Sequence, residues 1–147
     1  MSADKREDIL ARLFTVLSGI RNITTVARNI DEMPEGSRPC IVLIDGDEIR
    51  SDTSRGKALQ TVVMVMTPRI AIGISSSPDN LGPDINAIRA KVLPAVLGDA
   101  TLTTILGTNG KITYDGLAGK LSQGSLMASD MELNFSIEYP LDIKALA

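Results

Sequence analysis

The sequence contains no histidine. That removes the commonest general base and the commonest metal ligand together. Ser-His and Cys-His nucleophile systems and His-containing zinc sites go with them. Tryptophan is also absent, and there are only two Tyr and two Phe. The core must therefore be aliphatic, and the stacking platforms used to bind RNA or single strands are missing. The single cysteine, Cys40, excludes an intramolecular disulfide and gives no sign of an oxidising compartment. Inside an apolar run it reads as a small hydrophobe. No stretch approaches the roughly 18 consecutive apolar residues of a membrane span. The charged opening MSADKREDIL has no signal-peptide core, so a cytosolic product is expected. The net charge of -3 makes a poor generic binder of nucleic acid or anionic membrane. An acidic wall does suit a channel through which DNA slides without sticking.

What is present fits one domain, residues 1–147. A chain of this length buries roughly 68–70% of its unfolded surface, enough for a core without staples. Apolar residues at helical spacing (Ile9, Leu10, Leu13, Phe14, Leu17) predict a helix from Asp4 to Leu17, closed by Gly19. A β-branched stretch suits a strand near Thr24–Arg28. DEMPEGSRP reads as a loop, and Cys40–Ile44 as a short strand buried on both faces. Asp45–Lys57 is polar and reads as a long loop. Ala58–Ser75 is β-rich, either two strands or one long bent strand, with Pro68 marking an edge, a bulge or a bend.

A second amphipathic helix is expected after Gly82-Pro83, carrying Ile85, Ile88, Val92, Leu93, Val96 and Leu97, with Pro94 kinking or shortening its far end. TLTTILG suits a helical turn. Lys111–Tyr114 is a weak strand signal, and DGLAGKLSQGS reads as a flexible loop. The last strand is the plainest: Leu133, Phe135, Ile137 and Tyr139 alternate with Glu132, Asn134, Ser136 and Glu138 until Pro140 ends it. There is no regular βαβ alternation. The expected fold class is α+β: a mixed or mainly antiparallel sheet with two principal helices packed on one face.

The run CIVLIDGDE raises the sharpest chemical question, because it ends in three carboxylates, Asp45, Asp47 and Glu48. Carboxylates suit Mg²⁺ or Ca²⁺. A calcium loop, however, needs glycine at its sixth place and glutamate at its twelfth. Here the glycine is second and Gly56 stands twelfth. A solvated turn built on Asp-Gly fits better. Ser75–Ser77 lie in no nucleophile elbow. Gly119-Lys120 is no phosphate loop, since Tyr114 stands where its first glycine belongs. No motif calls for a cofactor. Arg50, Arg55, Lys57 and Arg69 are interleaved with acids, a mixed-charge surface suited to protein contacts.

The leading helix REDILARLFTVLSGI, the VARN segment, the Pro-preceded strand RPCIVLIDGDE and the closing strand LNFSIEYPL occur in an order that resembles the tail terminator (minor tail or tail completion) proteins of long-tailed bacteriophages. The resemblance covers nearly the whole chain. It implies an α+β subunit, without enzymatic activity, that forms a homohexameric ring on the end of the tail tube. Such a ring stops tube polymerisation and presents a docking surface to the head connector, or stopper. The expected partners are further copies of the chain, the tube protein and the connector, with DNA passing through the lumen unread. The expected place is the tail or neck of the virion. Asp45, Asp47, Glu48, Arg50, Arg55, Lys57, Asp115 and Lys120 are the candidate interface residues, on loops at Arg50–Lys57 and Asp115–Gly124. Competing readings are another neck or head–tail connector protein, a metal-dependent hydrolase using Asp45, Asp47 and Glu48, and a monomeric host-directed binding module.

Overall fold

A computed structural model describes residues 4–30, 39–51, 61–122 and 127–146. Helix α1 (Lys5–Ser18) leads, followed by strands β1 (Thr25–Arg28), β2 (Cys40–Arg50) and β3 (Thr61–Ser76). Helices α2 (Pro78–Leu97) and α3 (Ala100–Leu106) come next, then β4 (Lys111–Ser122), β5 (Met127–Asp142) and a short 3-10 turn, Ile143–Leu146. The strands form one sheet in the order β1-β2-β3-β5-β4. The β1–β2 pair is parallel and the other pairs are antiparallel. The fold is α+β, as expected.

Parity along the strands shows where the helices lie. The main core takes Ile41 and Leu43 from β2, Met66, Ile70, Ile72 and Ile74 from β3, and Leu133, Phe135, Ile137 and Tyr139 from β5. Each set is one face of its strand, because side chains alternate with period two. Ile9, Leu10, Leu13 and Leu17 of α1, Ile85, Val92 and Val96 of α2, and Leu102 and Leu106 of α3 complete the same cluster. All three helices therefore pack on one side of the sheet. Cys40, Val42 and Ala71 are buried on the opposite side, outside that cluster. Cys40 is the small buried hydrophobe expected.

Several sequence expectations need correction. α2 starts at Pro78, four residues before Gly82-Pro83, because Pro78 occupies the first turn, where a missing N–H costs nothing. It runs through Pro83 and Pro94 to Leu97, capped by Gly98. Asp45–Arg50 is not loop but the second half of β2. Asp115–Ser122, also read as loop, continues β4. β3 is one strand of 16 residues, which decides between the two forms expected and needs no correction. Pro140 does not end β5, which continues to Asp142.

Backbone alternation explains why Pro140 is tolerated. The Ser51 N–H donates to the Val63 carbonyl, so Val63 turns its polar groups to β2. Pro140 pairs with Val63 and therefore turns its nitrogen away from β3. On that side β4 has not yet begun, since its first pair is Lys111–Glu138. No ladder bond is lost.

A transverse crease crosses the sheet at one level. β2 carries an extra residue between Ile44 and Asp47. Gly46 takes φ +73 there, and a Cβ would lie 2.1 Å from the Thr67 carbonyl oxygen. In β3, pairing with β5 lapses at Thr67 and Pro68 and resumes in the same register at Arg69–Asn134. β4 has its own irregularity between Tyr114 and Gly116, the latter at φ +139. Bulges accentuate twist and re-aim side chains. Pro68 thus marks the bulge, one of its three expected roles.

Candidate protein interface

The three carboxylates of the DGDE stretch are directed to three different places. Asp45 faces the helix layer. The Arg28 guanidinium donates Nε to its Oδ1 at 2.8 Å and Nη2 to its Oδ2 at 2.9 Å. The same guanidinium donates to Glu7 at 3.0 and 2.9 Å. Arg28 at the end of β1 therefore ties α1 to β2. Its hydrogen bonds hold Asp45 and Glu7 below the usual carboxylate range, and the two carboxylates in turn hold Arg28 charged. Asn29, in the left-handed region at φ 55, accepts the Asp45 N–H on its side-chain oxygen.

Asp47 is exposed on the opposite face of the sheet. It lines a depression of about 350 Å³ along the crease, with Thr67, Arg69, Asp115 and Asn134. Glu48 returns to the helix side and accepts a hydrogen bond from the Tyr139 hydroxyl. Burial, and then that bond, push the Tyr139 phenol above its ordinary value. The Arg6 Nη2 donates to the Gly46 carbonyl at 3.1 Å nearby. Three acids within four residues thus serve an ion pair, an open surface and a phenol. Among the described residues there is no group of three or more His, Cys, Asp or Glu side chains placed to hold a metal.

Arg50 ends β2 and is exposed. Arg55 and Lys57 lie outside the described residues. Asp115 is exposed at the β4 irregularity and accepts from the Ser136 hydroxyl. Lys120 lies further along β4, its backbone paired with Asp130. The candidates therefore do not gather on one patch. Asp45 and Glu48 are taken up by the fold. Asp47 and Asp115 share the crease, while Arg50 and Lys120 lie on strands flanking the central pair.

A second cavity, about 390 Å³, lies where Ile74–Ser76 meets α2 and Pro39. The Ser76 hydroxyl donates to Asp84 at 2.5 Å, so the hydroxyl proton is already directed at a carboxylate. With no histidine in the chain, this pair has no imidazole relay.

Residues that sequence reasoning passed over carry the main electrostatic joints. Arg12 donates twice to Asp99 at 2.8 Å. Asp99 also accepts the Leu102 N–H at 2.8 Å as the N-cap of α3. An Asp just before ATLTTIL is a recognisable cap signal. The partnership of Arg28 with Glu7 and Asp45 spans distances that no local pattern reveals.

Comparison of the chain with protein-family models and with curated proteins finds no match.

Proposed function

We propose that this chain is a structural subunit of the tail terminator type. Six copies form a ring that caps the tail tube, stops its growth and offers a docking surface to the head connector. It works by contact and uses no cofactor. The observation that carries this reading is a sheet with helices on one side only, whose other side is buried at Cys40, Val42 and Ala71 but exposed beyond the crease at Asp47, Thr67 and Ile49. Row by row, that other side exposes the pair Asp47–Thr67 and then Ile49, 66% exposed beside a half-buried Val65. A large exposed aliphatic residue beside a polar crease suits a protein contact. The resemblance in element order supplies the particular assembly, and the mixed charge of the exposed strands is compatible with it. The dispersal of Asp45, Asp47 and Glu48 to separate partners favours this reading over a hydrolase that would need them together.

Deletion of the reading frame from the genome that carries it tests the proposal. The expected result is tails of uncontrolled length, or heads and tails that fail to join. Normal joined particles without the protein would refute it.

A further inference from the structure

We infer that neighbouring copies join edge to edge: the outer edge of β2 at Glu48 and Arg50 in one copy pairs antiparallel with the outer edge of β4 at Tyr114–Leu121 in the next. The inference rests on the ring reading and specifies its subunit joint.

Part of the backbone on each edge is already used within the chain. The Ser51–Val63 bond fixes the alternation on β2: odd-numbered residues after the bulge turn toward β3, and Glu48 and Arg50 turn outward. β1 covers β2 only at Cys40–Leu43. The Asp45 N–H is taken by Asn29 and the Gly46 carbonyl by Arg6. The open segment therefore begins after Gly46. The same alternation, carried through β3 and β5, turns Glu138, Ser136 and Asn134 toward β4. Lys111, Thr113, Gly116, Ala118 and Lys120 are then the inward residues of β4. Ile112, Tyr114, Leu117, Gly119 and Leu121 turn their N–H and C=O outward. Among the described residues no strand lies beyond β4. An edge with open N–H and C=O groups is a template for another strand.

Direction and charge select the occupant. β2, β3, β5 and β4 are successively antiparallel, so β4 runs opposite to β2. A second copy that continues the sheet therefore sets its β2 antiparallel to β4. The open segment of β2 holds Asp47, Glu48 and Arg50, net -1, whereas β4 holds Lys111, Asp115 and Lys120, net +1. The alternative, β4 against β4 across a two-fold axis, would bring the lysine-bearing ends together and the two Asp115 side chains close. Like charges facing each other across strands are destabilising. Joining two different edges is a heterologous contact, which closes into a ring when the rotation allows.

Two proline variants test this, because each removes an N–H that the chain's own ladder does not use. Arg50→Pro and Leu117→Pro are expected to keep the circular dichroism of the wild type. Each should lose the assembled species in sedimentation velocity at concentrations where the wild-type chain assembles. In the wild-type assembly, deuterium exchange at the amides of Glu48, Arg50, Leu117 and Gly119 is expected to slow at least tenfold relative to the diluted chain. If either variant misfolds, that exchange pattern alone decides. A ring that persists in both folded variants, or shows no added protection at those amides, overturns the edge joint and leaves the ring reading standing. A dimer abolished by Leu117→Pro but untouched by Arg50→Pro assigns the β4–β4 contact and overturns the inference. A wild-type chain that stays monomeric at every concentration overturns the joint and the ring together.

Discussion

Arg28 holds two carboxylates at once, and the consequence is a stability that depends on pH. Glu7 and Asp45 both titrate below their ordinary values of 4.5 and 3.8 because the guanidinium donates to them. A depressed carboxyl contributes stability that is present above its unfolded value and is lost as pH falls through the folded one. Melting temperature should therefore drop from about pH 4.5 downward. The Glu7 side chain is 49% exposed and that arm is screened, so Asp45 at 21% carries more of the effect. Arg28→Met should cost about 1–3 kcal/mol in urea unfolding at pH 7, as charged hydrogen bonds do, and should flatten the acid slope. A variant with unchanged stability and an unchanged slope would contradict this role. Tyr139 acts at the opposite end of the scale. Its phenol is raised above its ordinary 10.0 by burial and by Glu48, so the contribution is present below pH 10 and lost as pH rises beyond it. Tyr139→Phe should remove that alkaline loss, as followed by thermal melts between pH 9 and about 11.

At the scale of elements, the crease is a backbone device. Gly46 sits at φ +73 with the Thr67 carbonyl where a Cβ would be. Gly46→Ala should therefore cost more than about 2 kcal/mol, combining left-handed strain with a clash against backbone. Chemical denaturation should show it, and a shift under 0.5 kcal/mol would mean that the bulge relaxes freely.

How far such elements can be read from sequence depends on what stabilises each one. α1 is legible because Asp4, Ile9, Leu10, Leu13 and Leu17 carry cap and face within the helix itself. The Leu133–Tyr139 alternation is legible for the same local reason. Asp45–Arg50 and Asp115–Ser122 look like loops because Asp and Gly are poor strand formers in isolation. They are strands because β3 and β5 beside them supply a ladder, and tertiary pairing outweighs propensity. The tolerance of Pro140 depends on where β4 begins, which is not a local property. The separation of Asp45, Asp47 and Glu48 follows from strand alternation plus one bulge. A turn over the same residues would give no such separation.

For the whole molecule, one face of the sheet is filled by helices, and the other is buried at Cys40, Val42 and Ala71 but exposed at Asp47 and Ile49. Ile49 lies on that second face with no part in the core cluster. Ile49→Lys should leave folding stability within about 0.5 kcal/mol, as surface changes usually do, while weakening assembly. Core truncation should behave oppositely. Ile72→Ala, at a position with no exposure, should cost about 2–5 kcal/mol and lower the amount of folded chain available to assemble. On the proposed function, this subunit acts by closing a ring without metal or turnover. Native mass spectrometry at high protein concentration, with and without Mg²⁺, tests it most directly. The expected result is a six-subunit species indifferent to the metal. A strict monomer that binds Mg²⁺ stoichiometrically would contradict it.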